Sequence, residues 1–181
     1  MNTNILEGTR CYMVGHMEYS DGQGWREKVE KEVGEGLGVV CFNPYKKPFV
    51  NQRPEDPETR KWLAERMAQG DLETVRQHMR MVRSDDLRLC DISDFFICHL
   101  IPHVASWGSA EEIYTANRMK KPLFIAVEGG RNKTPLWLAG MLPPHYFYDS
   151  IEDVIKMLKD IDAGKKKIDS ERWRLLRKEY R

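Results

Sequence analysis

Short apolar segments alternate with longer amphipathic segments along most of the 181-residue chain. This alternation is typical of a parallel sheet whose strands are connected by helices. The third of the short segments, Asp94–Leu100, consists almost entirely of apolar residues, which predicts a central strand buried on both faces. The pattern predicts an α/β fold, a Rossmann-like or flavodoxin-like doubly wound parallel sheet of about five strands with helices on both faces. The segments predicted as strands are Cys11–Val14, Val39–Phe42, Asp94–Leu100, Leu123–Val127 and Tyr146–Tyr148.

The amphipathic segments predict the helices that cover this sheet. In open α/β sheets, ligands bind outside the carboxyl ends of the strands. A site is therefore expected in the loops that follow the first four strands, after Val14, Phe42, Leu100 and Val127. The predicted helices are Gly24–Glu35, Glu58–Gln69, Leu72–Cys90, Ser109–Met119 and Ser150–Ile161.

The length corresponds to one domain, and no apolar run reaches the roughly 20 residues that cross a bilayer. The N-terminal segment lacks the basic start and the apolar stretch of a signal peptide. A net charge of +1 produces no global field that attracts nucleic acid. Four widely separated cysteines, Cys11, Cys41, Cys90 and Cys98, predict free thiols in a reducing compartment. We therefore expect a cytoplasmic protein that has neither a membrane nor nucleic acid as a partner.

A glycine turn opens the helix that follows the third strand, in the segment Trp107-Gly108-Ser109-Ala110-Glu111-Glu112. Glu112 lies three residues after Ser109, which is the spacing of a capping box. One interpretation is that these two side chains only cap the helix. The other is that Glu112 is an ionised carboxylate beside the crevice, stabilised by the positive end of the helix dipole. Such a carboxylate attacks the anomeric carbon of a sugar or stabilises its cationic transition state.

Reactions at the anomeric carbon of a sugar usually need a pair of acids. Four aspartates precede or open the same strand, and each of them taken alone is explained as a solvated helix end or an N-cap. They are Asp85, Asp86, Asp91 and Asp94. His99 and His103 are four residues apart, but Pro102 between them argues against a helix that would join them in a zinc site. No metal or other cofactor is expected.

The segment from Asp86 to Glu112 resembles the nucleoside 2-deoxyribosyltransferase family, in which an aspartate, an apolar strand and a Gly-(Ser/Thr)-x-x-Glu helix start have this spacing. Lys121-Pro122-Leu123 is similar to the family's step into the next strand, and residues 12–18 to its opening strand and glycine loop. The resemblance extends from about Arg10 to Leu158. Further short matches resemble a phage-type branch of the family: Asp21-Gly22, Trp25-Arg26, Asn43-Pro44, Trp107-Gly108 and Val127-Glu128-Gly129-Gly130.

The resemblance implies a role for each matching residue. Glu112 would be the nucleophile that displaces the base and holds the deoxyribosyl group covalently. Asp86 would bind the sugar or handle a proton on the base, and water or a second base would then release the sugar. Trp107 is either a packing residue or a surface on which the base stacks. The other implied binding residues are Gly15, His16 and Met17 around the base, and Gly108 and Ser109 beside the sugar.

The chain departs from the family pattern where a further acid often precedes the Gly-Ser turn, because Ser106 and Trp107 stand there. Base selectivity and transfer depend on that position. A hydrolase of nucleoside 5′-monophosphates is the first alternative function. Its phosphate site would use Lys46, Lys47, Arg131 and Lys133, which otherwise lie in solvated loops. The second alternative is a non-catalytic nucleotide-binding module, which would need neither Asp86 nor Glu112.

The C-terminal segment is basic, with eight basic and three acidic residues from Lys165 to Arg181. Trp173, Leu176 and Tyr180 recur there at helical spacing, which predicts a short helix from Ser170 onward. We interpret it as docking onto the domain or onto a neighbouring subunit, with nucleic-acid contact as the alternative.

Two regions are therefore predicted, a nucleoside 2-deoxyribosyltransferase-like domain over residues 1–163 and a basic C-terminal helical tail over residues 164–181. The expected partner is a small-molecule nucleoside or nucleotide substrate. The family resemblance also implies a homo-oligomer whose subunits complete one another's pockets, with Tyr180-Arg181 supplied in trans.

Overall fold

Five parallel strands form one sheet in the order β2-β1-β3-β4-β5. A computed structural model of the chain describes residues 4–17, 22–46, 57–104, 106–166 and 171–173. Every neighbouring pair of strands is parallel, and β3 lies at the centre as its apolar sequence predicts. The α/β prediction of about five parallel strands is confirmed. The strands are β1 Arg10–Gly15, β2 Val40–Phe42, β3 Phe95–Leu100, β4 Leu123–Val127 and β5 Phe147–Tyr148.

Helices cover both faces of this sheet, because consecutive residues of each strand point to opposite sides. On one face, Cys11 and Met13 of β1 pack in a buried cluster with the first and last helices. On the other face, Tyr12 and Val14 pack with the helices from the middle of the chain. The helices are α1 Gly24–Val29, α2 Pro57–Ala68, α3 Leu72–Ile92, α4 Trp107–Arg118, α5 Leu136–Met141 and α6 Ile151–Asp162.

The predicted elements differ from the observed ones mainly at their ends. The first predicted helix continues past α1 as a π-helical segment, Glu30–Glu35. The last predicted strand is shortened to β5 because Tyr146 belongs to a 3-10 turn, Pro144–Tyr146, which is preceded by Pro143. The short helix α5 was not predicted, since its six residues are too few to show a helical period.

The two helices α2 and α3 are joined by a three-residue connection and contact each other. Asp71 caps α3, where its side chain accepts a hydrogen bond from the Thr74 backbone N–H at 3.2 Å. Only the carboxyl-terminal half of α3 is anchored in the core, through Val82, Leu89 and Cys90. No residue of α2 is buried. Residues of both helices line the cavity described below.

Trp173 attaches the C-terminal segment to the domain. Its side chain is 2% exposed and packs on Phe95 and Phe124, with ring centroids 5.5 Å and 5.8 Å away. Residues 171–173 form a turn rather than the start of the predicted helix. The other tail residues of that prediction, Leu176, Tyr180 and Arg181, lie outside the described residues, as do Lys47, Asp21 and the end of the 12–18 match. Within the described ranges, no helix is long and apolar enough to cross a membrane.

Candidate functional site

A cavity of about 760 Å³ lies at the carboxyl end of β1. Its walls are the loop after β1, the start of α4, and one side each of α2 and α3. The volume falls within the range of roughly 300–1,000 Å³ that is usual for small-molecule sites. All eight residues that the sequence predicts for the site line this one cavity. They are Gly15, His16, Met17, Asp86, Trp107, Gly108, Ser109 and Glu112.

Glu112 is oriented by a buried tyrosine on the neighbouring strand. The Tyr12 hydroxyl donates a hydrogen bond to Glu112 Oε1 at 2.8 Å, and Tyr12 is 1% exposed. Burial, followed by the nearby charges of Glu112 and Asp86, raises the pKa of Tyr12 well above its ordinary value. The phenol therefore stays protonated and remains a donor to Glu112 throughout the neutral pH range.

The two adjacent glutamates of α4 have different partners. Arg83 of α3 donates to both carboxylate oxygens of Glu111, with 2.7 Å from Nε to Oε2. This contact lowers the pKa of Glu111 below its usual range. Glu111 is thus tied to α3 by a charge-assisted pair, whereas Glu112 points to Tyr12 on the sheet. Both glutamates line the cavity, but Glu112 is the one that is hydrogen-bonded to β1.

Asp86 enters the same cavity from α3. Its Oδ1 atom is shielded from solvent. Asp86 and Glu112 raise the pKa values of the same two buried groups, Tyr12 and Cys90, although burial is the largest cause for both groups. Two carboxylates separated by 26 positions in the sequence therefore face one small region between α3, α4 and β1.

The capping-box interpretation of Ser109 and Glu112 is wrong. Ser106 is the N-cap of α4, and its hydroxyl accepts from the Ser109 backbone N–H at 3.3 Å. Glu112 therefore lies in the second turn, and no acid occupies the first turn of α4. The prediction that the helix dipole stabilises the ionised Glu112 carboxylate is wrong for the same reason, because the effect of the dipole falls off within the first turn of a helix. The hydrogen bond from Tyr12 takes its place.

The start of α4 is open toward the cavity mouth. Trp107, the first residue of the helix, has an indole that is 89% exposed although it lines the cavity. A Cβ atom added to Gly108 would meet no atom within 4 Å. A ligand in the cavity therefore has access to the backbone at Gly108 and to one face of the indole.

The loop after β1 is shaped by close packing around Gly15. A Cβ atom at this position would lie 3.1 Å from the His99 carbonyl oxygen and 3.1 Å from the Trp25 ring, so a larger residue would displace them. The buried Arg26 donates to the Gly15 carbonyl at 2.9 Å and also to the Gly22 carbonyl. These contacts hold the residues that follow Gly15 at the cavity.

Three of the four basic residues proposed for a 5′-phosphate do not line this cavity, and the fourth, Lys47, lies outside the described residues. Lys46 pairs with Glu30 at 2.7 Å, and neither Lys46, Arg131 nor Lys133 lines the cavity. Among the described residues, the arginines that line it are Arg60, which donates to the Met17 carbonyl, and Arg83. Within the described part of the chain, no group of three His, Cys, Asp or Glu side chains is arranged to hold a metal ion.

Sequence reasoning missed Tyr12, Arg60, His78 and Arg83 as residues of the site. The alternation of β1 placed Tyr12 in a strand without showing what its hydroxyl meets. The other three residues lie on α2 and α3, which were interpreted only as covering helices. His78 and Arg83 lie eight and three residues before Asp86, and this helical spacing was the available signal that they share a side of α3 with it.

The Tyr12→Phe variant is expected to lower the free energy of unfolding by about 1–2 kcal/mol. The substitution removes one donor to a charged acceptor and leaves Glu112 without that contact in a partly buried place. Urea denaturation followed by circular dichroism measures the change. Tyr114→Phe is the matched control on α4, because Tyr114 is 39% exposed and should shift the value by less than about 0.5 kcal/mol. Equal effects of the two substitutions would contradict the importance of the Tyr12 contact.

The fold and the cavity place the chain among open α/β proteins whose ligand site lies at the carboxyl ends of parallel strands. Neither a protein-family model nor a curated protein sequence matches the chain. A solved structure does match, that of a 2-deoxyribosyltransferase from the psychrotolerant bacterium Bacillus psychrosaccharolyticus. The TM-score is 0.55 at 16% sequence identity, and the match covers 81% of this chain and 90% of the other. That protein is described as a biocatalyst for the synthesis of antiviral and antitumoral nucleosides. The likeness supports the same fold for this chain.

Proposed function

We propose that this protein cleaves the N-glycosidic bond of 2′-deoxyribonucleosides by double displacement and transfers the deoxyribosyl group to another base or to water. The observation that carries the proposal is the pair of carboxylates, Asp86 and Glu112, that enter one cavity from two helices while Tyr12 orients the second. An oriented carboxylate beside a second acid is the arrangement used for substitution at an anomeric carbon. The fold shared with a 2-deoxyribosyltransferase supports the same conclusion.

Glu112 acts as the nucleophile in the first step. A carboxylate oxygen forms a bond to C1′ as the bond from C1′ to the base nitrogen breaks, and the electron pair leaves with the base. Asp86 hydrogen-bonds the departing base or passes a proton to it, which neutralises the developing negative charge. Tyr12 keeps the attacking oxygen in place through a hydrogen bond at 2.8 Å.

The second step reverses the first with a new acceptor. A nitrogen of a second base, or the oxygen of water, forms a bond to C1′, and the Glu112 carboxylate leaves. The acceptor loses a proton, which Asp86 accepts. Two displacements at C1′ give net retention of configuration. The product of transfer is therefore again a β-nucleoside.

The remaining residues of the cavity bind the two halves of the substrate. Gly108 and Ser109 at the start of α4 lie on the sugar side, beside Glu112. Gly15, His16 and Met17 surround the base, and the exposed indole of Trp107 provides a face on which the base stacks. Homo-oligomerisation and a cytoplasmic location stay predictions.

The test is base release from each of the four common 2′-deoxyribonucleosides and from their 5′-monophosphates, with and without a second free base, followed by liquid chromatography. We expect release from nucleosides and exchange into the added base. Release from monophosphates alone would assign the protein as a nucleotide hydrolase instead. Binding without release from any substrate would assign a non-catalytic module and contradict the proposal.

A further inference from the structure

One face of α3 continues from Asp86 as an apolar surface. Val82, Met79 and Val75 precede Asp86 by four, seven and eleven residues, which places all four side chains on the same side of the helix. All four line the cavity. At 1.5 Å per residue, this surface extends about 16 Å along the helix from the acid.

The facing side of α2 completes this surface into an arm of the cavity. Leu63 and Met67 line it one helical turn apart, opposite the apolar residues of α3. The apolar arm is thus defined by Leu63, Met67, Val75, Met79 and Val82. Its two methionines are only partly covered, with Met67 51% and Met79 43% exposed. The described residues leave this apolar surface uncovered, and covering it with a ligand lowers the free energy.

His78 adds one polar atom to this arm. Its ring lines the cavity and packs edge-on against Trp62, with ring centroids 5.9 Å apart. The Nε2 atom is shielded from solvent, and no described residue makes a hydrogen bond to it. A shielded imidazole nitrogen of this kind costs free energy until a ligand atom bonds to it.

We propose that the apolar arm receives a large apolar substituent on the exocyclic nitrogen of the base. This inference rests on the proposed function, in which the sugar lies at Glu112 and the base lies toward Asp86. A substituent that leaves the base beyond Asp86 continues along the face of α3 into the arm. A group of benzyl size enters the arm, and a polar atom on its far edge is available to His78 Nε2. The substrate class is therefore 2′-deoxyribonucleosides of N-alkylated or N-benzylated bases.

The experiment compares the binding of free bases to the wild-type protein by titration calorimetry, which needs no turnover. The pairs are adenine with N6-benzyladenine and cytosine with N4-benzylcytosine. In at least one pair the benzyl derivative is expected to bind about 10- to 100-fold more tightly, the effect of burying one side-chain-sized apolar group. The Met79→Trp variant fills the arm and should remove this preference while leaving the affinity for the unsubstituted base nearly unchanged.

Met81→Trp is the matched control. It makes the same exchange on the same helix at a residue of similar exposure, 38%, that does not line the cavity. It should keep the wild-type preference. If circular dichroism shows that Met79→Trp is not folded, His78→Phe is tested in its place. This variant should bind N6-(3-hydroxybenzyl)adenine less tightly than the wild type does, while its affinity for N6-benzyladenine should equal that of the wild type.

Two outcomes would overturn the inference. One is equal affinity for the substituted and unsubstituted member of both pairs. The other is a preference that Met79→Trp and Met81→Trp leave equally intact, which would place the substituent elsewhere. The proposed function fails separately, by the absence of base release from any nucleoside. Cleavage of unmodified nucleosides without a preference for benzylated bases would refute the proposed role of the apolar arm and leave the proposed function intact.

Discussion

Glu112→Gln is expected to lower the rate of base release by a factor of about 10⁴ or more, because the amide cannot form the covalent bond to C1′. The fold should change little. Glutamine keeps an oxygen that accepts the hydrogen bond from Tyr12, so the free energy of unfolding should stay within about 1–2 kcal/mol of the wild type. Single-turnover cleavage of a deoxyribonucleoside measures the rate, and urea denaturation measures the stability.

Glu111→Gln is the matched control for this substitution. The neighbouring glutamate has the same chemistry on the same helix and also lines the cavity, but its carboxylate is paired with Arg83 in a partly exposed salt bridge. Exposed pairs contribute about 0–1 kcal/mol, so activity should remain within about tenfold of the wild type. If Glu111→Gln lost activity and Glu112→Gln kept it, the two roles would be reversed. If both variants kept full activity, neither glutamate would be the nucleophile.

Trp173→Ala is expected to lower the free energy of unfolding by about 3–5 kcal/mol. The indole is 2% exposed between Phe95 and Phe124, so its removal deletes a large apolar contact and leaves a cavity beside the central strands. The sheet carries the site at its carboxyl edge, so a loss of this size would also make the activity more sensitive to temperature. Equilibrium denaturation in urea measures the effect.

Trp137→Ala provides the comparison for Trp173. Its side chain is 77% exposed on α5, so truncation removes little buried surface and should change the stability by no more than about 0.5 kcal/mol. A loss below 1 kcal/mol for Trp173→Ala would show that the C-terminal segment does not stabilise the domain. Such a result would contradict the packing of this residue on the sheet.

The strands, and the central position of β3, followed directly from local sequence patterns. Leu123–Val127 was predicted with its observed bounds, and Cys11–Val14 lies one residue inside β1 at each end. Buried strands produce continuous apolar runs, which a sequence shows without knowledge of the neighbours. A site at the carboxyl edge was predicted for a related reason, because parallel strands bring the loops at their carboxyl ends to one edge. The cavity is lined by residues that follow β1, β2 and β3, such as Gly15, Pro44 and Val104, but by no described residue of the loop after β4.

The start of α4 shows where this reasoning stops. Both Ser106 and Ser109 are N-cap residue types, and the spacing from Ser109 to Glu112 favoured the second of them. The helix begins at Trp107, with Ser106 as its cap. Caps are decided by where the chain leaves the preceding loop, and that depends on packing rather than on the identity of the serine.

The amino-acid sequence alone was enough for the α/β class and the parallel sheet, because these depend on periodicity. Asp86 and Glu112 were predicted from a family resemblance, and their roles stay a proposal. Partners far apart in the chain were decided only by the tertiary structure. Tyr12 meets Glu112 across 100 positions, and Arg83 meets Glu111 across 28. The apolar arm between α2 and α3 was likewise decided only by the tertiary structure. Neither helix alone shows which of its sides is covered, since burial is a property of the folded surface and not of the segment.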